Sequence, residues 1–167
     1  MLSKRSIIII LLLFATATLS AQEQPAKPKL YNPEANAEQE IEVALAQAKS
    51  EGKHVFLQIG GNWCVWCLRF NKLVTETEEL APLLNKNYIT VHVNYSKENK
   101  NETLLASLGY PQRFGFPVFV ILDSDGKRIH TQNSAYLEAG DGHSEKLVKE
   151  FLQSWTPEAL NPKTYNK

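Results

Sequence analysis

The sequence predicts an α/β domain built on one mixed β-sheet with helices on both faces. Three observations point there. Apolar runs of strand length at 55–59, 88–93 and 118–122 alternate with stretches of helical periodicity. Helical stretches link the first strands, which argues for a parallel pair. Asp123-Ser124-Asp125-Gly126 then turns the third run into a fourth strand over 127–131, an antiparallel hairpin at the end of the same sheet. The expected order is α, β, α, β, α, β, β, α, with no internal repeat.

Along the chain, residues 1–21 fit a secretory signal peptide: Lys4 and Arg5, then an apolar core from Ile7 to Phe14, then small residues to Ala21. The uninterrupted apolar run falls short of the roughly 20 residues of a spanning helix. Thr16, Thr18 and Ser20 dilute its far end. The mature form is therefore expected to be periplasmic or otherwise secreted, with no stable membrane insertion. Residues 22–32, with Pro25 and Pro28, read as a flexible linker, 33–157 as the domain, and 158–167 as a C-terminal tail.

Asn32-Pro33-Glu34 reads as a helix start, with a capping Asn, a first-turn Pro and an acid. That helix is expected to run to about residue 50, with Ile41, Leu45 and Ala48 inward and Gly52 ending it. Pro82 breaks or restarts a helical stretch over 78–85. A short helix over 102–108 stops at Gly109. The last helix, 144–155, carries Leu147, Val148, Phe151, Leu152 and Trp155 at helical spacing before Thr156-Pro157.

The chain's two cysteines are two residues apart in Trp63-Cys64-Val65-Trp66-Cys67, between the 55–59 strand and a helical stretch. At a helix N-terminus the free N–H groups and the dipole favour thiolate over thiol, and the thiolate is the species that attacks disulfides. A purely structural cross-link is a weak explanation. So short a loop stabilises by about 2 kcal/mol on the chain-entropy scale, against about 3 for a 15-residue loop.

Eighteen basic and eighteen acidic side chains balance; removing Lys4 and Arg5 leaves the remainder slightly acidic. The chain has no aromatic-rich basic patch, so nucleic acid is not an expected partner. Its length suits one domain, expected to be monomeric.

Trp63-Cys64-x-x-Cys67 after a strand, Phe116-Pro117 before a later strand, and the element order together resemble the thioredoxin superfamily, over roughly residues 35–156. More closely, Gly60 to Cys67 is similar to exported bacterial thioredoxin-like proteins related to the C-terminal domain of the periplasmic thiol:disulfide interchange reductase. The resemblance implies a thioredoxin fold and a thiol–disulfide oxidoreductase needing no cofactor or metal. Cys64 would attack as the more exposed thiol, and Cys67 would resolve the mixed disulfide. Pro117 would be the family's cis-proline, with Phe116 before it offering backbone groups to a partner strand. Trp63 would shield the sulfurs, and Trp66 would offer an apolar docking surface. Partners would be exported protein thiols and disulfides, with an upstream redox protein supplying electrons.

The chain departs from that family at several places. Gln58 stands where thioredoxin has a buried acid, and it can hydrogen-bond but cannot take up a proton. Lys72 replaces a helix proline, and no obvious first strand precedes the first helix. Val65-Trp66 offers Cys64 no charge, which argues for a reducing or interchange role rather than an oxidising one.

Two other readings use the same residues: a binding module with permanently oxidised cysteines, and a Cu(I) handler using the cysteines and a distant His. His54, His92, His130 and His143 are scattered, and Glu138 and Asp141 lie in a 136–143 stretch read as a surface loop.

Overall fold

The computed structural model describes residues 29–166. The expected signal peptide and most of the expected linker lie outside those residues.

Helix α1 (Ala37–Glu51) is capped by Asn36, whose side chain accepts from the Gln39 N–H at 3.1 Å. The cap expected at Asn32 is therefore corrected by four residues. Asn32 instead accepts from the Glu34 N–H at 3.0 Å in a turn of its own. Both asparagines offer the same capping chemistry; only Asn36 is in register with the stripe Ala37, Ile41, Ala44 and Ala48 that α1 buries. Leu45, expected on that stripe, is only partly buried at its edge. Gly52 ends the helix at φ 65°, a left-handed conformation that favours glycine.

Strands β1 (His54–Gly60), β2 (Tyr88–Asn94), β3 (Val118–Leu122) and β4 (Arg128–Asn133) form one sheet in the order β2-β1-β3-β4. β1 and β2 are parallel, with Leu57 opposite Val91; β1–β3 and β3–β4 are antiparallel. Between the strands lie α2 (Val65–Glu76), α3 (Leu80–Asn87) and α4 (Glu102–Ser107), and α5 (Glu145–Ser154) follows behind a Ser144 cap. Pro82 does not break α3. It sits in the first turn, where an N–H has no intrahelical acceptor to lose.

Successive strand side chains point to opposite faces. Val55, Leu57, Ile59, Val91, Val93, Val118 and Val120 therefore pack with α1 and α4 on one side. Phe56, Tyr88, Phe119 and Ile121 pack with α2, α3 and α5 on the other. The Phe56 ring is the hub of that second layer, with its centroid 5.4 Å from Phe119 and about 6 Å from Phe70, Tyr88 and Phe151. Every residue of β1 is buried, because the strand is central and covered on both faces.

Among the described residues no strand precedes α1, and β2 forms one edge of the sheet. Three parts of the chain differ from expectation. Residues 30–32 are not free linker: Tyr31 is fully buried. The 136–143 stretch folds as a small hairpin, β5 (Glu138–Ala139) against β6 (Gly142–His143). The tail folds back on itself: Thr164 donates to the Glu158 carboxylate and the Tyr165 hydroxyl to the Ala159 carbonyl, each at 2.7 Å.

Candidate active site

β1 runs out at Gly60, and the chain turns through Gly61, Asn62 and Trp63 into α2. Cys64 is the residue that caps α2, and its sulfur accepts from the Cys67 N–H at 3.1 Å. The two sulfurs are joined in a disulfide, with their α-carbons 5.2 Å apart. Cys64 is 4 % exposed and Cys67 fully buried, so the first sulfur is the nearer to solvent although neither is open. Together with Tyr31 they form a small buried cluster on which Leu30, Trp66 and Phe116 pack.

The antiparallel register of β1 and β3 sets Val118 opposite Ile59. This brings the Phe116–Pro117 segment, joined by a cis peptide bond, beside the end of β1 from which the cysteines emerge. Trp63 stands 60 % exposed, outside the buried sulfur cluster. Its indole N–H donates to the Tyr95 carbonyl at 2.7 Å, and its ring meets Phe116 edge-on at 5.6 Å. Trp66 is half-buried, with Arg69 5.8 Å above its ring and His143 edge-on at 5.6 Å.

Sequence reasoning missed three contributors. Tyr31 reaches into the site from the segment read as linker. Asn62 clamps its backbone twice, accepting from the Tyr31 N–H at 3.0 Å and donating to its carbonyl at 2.6 Å. His143 comes from β6 and lies against Phe70 and Trp66, its ring nitrogens buried without hydrogen-bond partners. Asp141 belongs to the same contact, because Arg69 donates to its backbone carbonyl. No local pattern marks any of these; each pairing spans about 30 residues or more.

Burial is the dominant electrostatic influence here. It raises the Tyr31 phenol above its usual range, so the group stays protonated. It pulls His92 and His143 down to about 4, so both are neutral near pH 7. His92 meets the Tyr31 ring edge-on at 5.7 Å and contacts the Asn71 side-chain oxygen at 3.1 Å. Among the described residues no group of three or more His, Cys, Asp and Glu is placed to hold a metal ion.

The sequence profile of the thioredoxin-like family matches residues 36–124, more than half of the chain. The chain belongs to the thioredoxin-like family. Among solved structures it is similar to a disulphide isomerase from Xylella fastidiosa Temecula1, with TM-score 0.67 and 25 % identity over 77 % of this chain and 98 % of that one. The C-terminal domain of Neisseria meningitidis DsbD in its oxidised form aligns over 71 % of this chain and 96 % of that one, with TM-score 0.51 and 18 % identity, and shows the shared fold.

Curated relatives match a much smaller part. Rat spermatogenesis-associated protein 20 is 37 % identical over 51 residues, 30 % of this chain and 6 % of that one. An uncharacterized Caenorhabditis elegans protein is 31 % identical over 87 residues, 49 % and 12 % of the two chains. The chain thus spans only a small fraction of these relatives' length. The Cys64–Cys67 disulfide thus sits at a helix start within the part of the chain that matches the thioredoxin-like family.

Proposed function

We propose that the protein exchanges disulfides with exported partner proteins in the reducing or interchange direction, Cys64 attacking and Cys67 resolving. The observation that carries this reading is the setting of Cys64. Among the described residues its sulfur takes one hydrogen bond, from a backbone N–H at the start of α2. Strong oxidants owe their potential to a heavily stabilised reduced form. One amide and a helix dipole lower a thiol's pKa without that excess.

In the forward cycle the Cys64 thiolate attacks one sulfur of a partner disulfide, and the other leaves as a thiolate that picks up a proton. Cys67, having lost its own proton, attacks the Cys64 sulfur and breaks the mixed disulfide. The partner departs as a dithiol, two electrons richer, and the Cys64–Cys67 disulfide remains. An upstream protein dithiol restores the pair by the reverse chemistry. Trp63, Trp66, Phe116 and Pro117 form the rim on which a partner docks, with the Phe116 backbone available to an extended segment. The leader at 1–21 carries the chain to an oxidising compartment, where it acts as a monomer.

The test is to equilibrate the mature protein in defined thiol buffers and measure the reduction potential of the pair. A value near about −270 mV supports electron donation, and one near about −120 mV supports oxidation instead. Exchange at the parent rate by Cys64→Ser would overturn the mechanism.

A further inference from the structure

Cys67 is fully buried, and opening the disulfide creates a sulfur that must ionise with little access to water. An ionised group in such a place needs a hydrogen-bond partner from the protein. No Asp, Glu, Lys or Arg is buried among the described residues, and His92 and His143 are neutral near pH 7. On α2 itself, Arg69 and Lys72 are exposed.

Gln58 is 1 % exposed and shares the α2-facing side of β1 with Phe56. Its side-chain nitrogen donates to the Cys67 carbonyl at 3.0 Å and to the Tyr31 hydroxyl at 2.7 Å. The carbonyl can only accept, which fixes the amide with its nitrogen toward the pair and makes the phenol oxygen an acceptor. The phenol's own hydrogen is left to donate, and among the described residues it has no acceptor.

Gly60 shows what lies beside that phenol. A β-carbon placed there would sit 2.5 Å from the Cys67 sulfur and 3.0 Å from the Tyr31 hydroxyl. Sulfur and phenol therefore border the same small space, which a glycine leaves open.

We propose that Tyr31 donates its phenolic hydrogen to the Cys67 sulfur when the pair is reduced, with Gln58 as the positioning residue. This deepens the exchange reading above and rests on it. In the disulfide no hydrogen bond joins the two groups; a neutral sulfur is a weak acceptor and a thiolate a strong one, so reduction creates the acceptor. The oxygen of the Gln58 amide is likewise buried without a partner in the disulfide form.

During resolution the Cys67 thiol gives its proton to solvent water. The thiolate, held by the Tyr31 O–H, attacks the Cys64 sulfur of the mixed disulfide, and the partner sulfur leaves with the electron pair of the broken bond. The Tyr31 O–H bond stays intact throughout. Tyr31 thus lowers the cost of the anion without taking up a proton, in a site where Gln58 replaces an acid.

The experiment titrates Cys67 in the reduced full-length chain, in a Cys64→Ser background so that one thiol titrates alone. The readout is the carbon NMR shift of the Cys67 β-carbon. Tyr31→Phe keeps the ring and removes the donor, and it is expected to raise the Cys67 midpoint by about one pH unit. Fluorotyrosine at position 31 keeps the donor and makes it more acidic, so it is expected to lower the midpoint.

With both cysteines present, Tyr31→Phe is expected to slow partner release about threefold near pH 7. A roughly tenfold loss of thiolate is partly offset by the higher nucleophilicity of a more basic one. An unchanged midpoint in both variants overturns the proposal. If Tyr31→Phe does not fold, the fluorotyrosine shift alone decides. Absence of exchange by the unaltered protein would sink the exchange reading instead, and the titration would still stand or fall separately.

Discussion

The Cys64 sulfur accepts the backbone N–H of Cys67 at 3.1 Å, so the cysteine nearer to solvent is also the cap of the helix that carries its partner. Structure and chemistry here share one atom, and they can be separated by substitution. Serine retains a capping oxygen, whereas alanine does not. Under reducing conditions Cys64→Ala is expected to lose about 1 kcal/mol of stability relative to Cys64→Ser, while both lose exchange entirely. Urea midpoints and an exchange assay on the same samples check this. Equal midpoints would mean that the cap contributes nothing.

Gly60 is held small by what faces it. Gly60→Ala would drive a methyl into the Cys67 sulfur and the Tyr31 hydroxyl. Overpacking of this kind costs about 1–3 kcal/mol. The expected outcome is a lower urea midpoint together with slower resolution, because the groups displaced are those that surround Cys67. A variant with parent stability and parent rate would show that the space is not constrained.

Trp63 is exposed yet tethered, through its indole N–H to Tyr95 and edge-on to Phe116. Removing an exposed ring changes stability little, but it removes apolar surface from the rim proposed for partner docking. Trp63→Ala is expected to raise KM for a protein disulfide severalfold while leaving reaction with a small-molecule disulfide near the parent rate. Equal losses for both would assign Trp63 to the chemistry rather than to docking.

His92 and His143 give the fold an acid weakness. Each is held at about 4 against an ordinary 6.5. As pH falls from about 6.5 toward about 4, the unfolded chain takes up these protons and the folded one does not. The unfolded state binds more protons across that window, so stability is complete above it and declines through it. His143, with both ring nitrogens unpartnered, can be replaced by an apolar residue at little cost near pH 7. His143→Leu is expected to flatten the fall in urea midpoint between neutral pH and the acid end of the window. A slope identical to the parent's would remove His143 from the account.

The order of elements apart from the β5–β6 hairpin, the two-faced strands, the hairpin turn at 123–126 and the helix-start cysteines were legible in the sequence, because each depends on residues close together in the chain. Periodicity of two or 3.6 reports which side of an element is buried. A Cys-x-x-Cys between strand and helix reports its own environment. The first helix cap was misplaced at Asn32, because Asn36 four residues on offers the same chemistry and only the buried stripe selects it. Of the two outcomes expected at Pro82, a restart is the one found: the ring that breaks a helix interior is tolerated in the first turn of α3.

Tertiary structure alone decided what surrounds the sulfurs. Tyr31, Asn62 and Gln58 meet across separations of 27 and 31 residues, and His143 reaches Trp66 from the far hairpin. Such contacts follow from how β1, β3 and α2 pack, and a local pattern carries no record of them. The sequence by itself determined that the two cysteines sit at a helix start after a strand. The packed fold determined that the Cys67 sulfur and the Tyr31 hydroxyl border one small space beside Gly60, since only tertiary packing brings groups so far apart in the chain together.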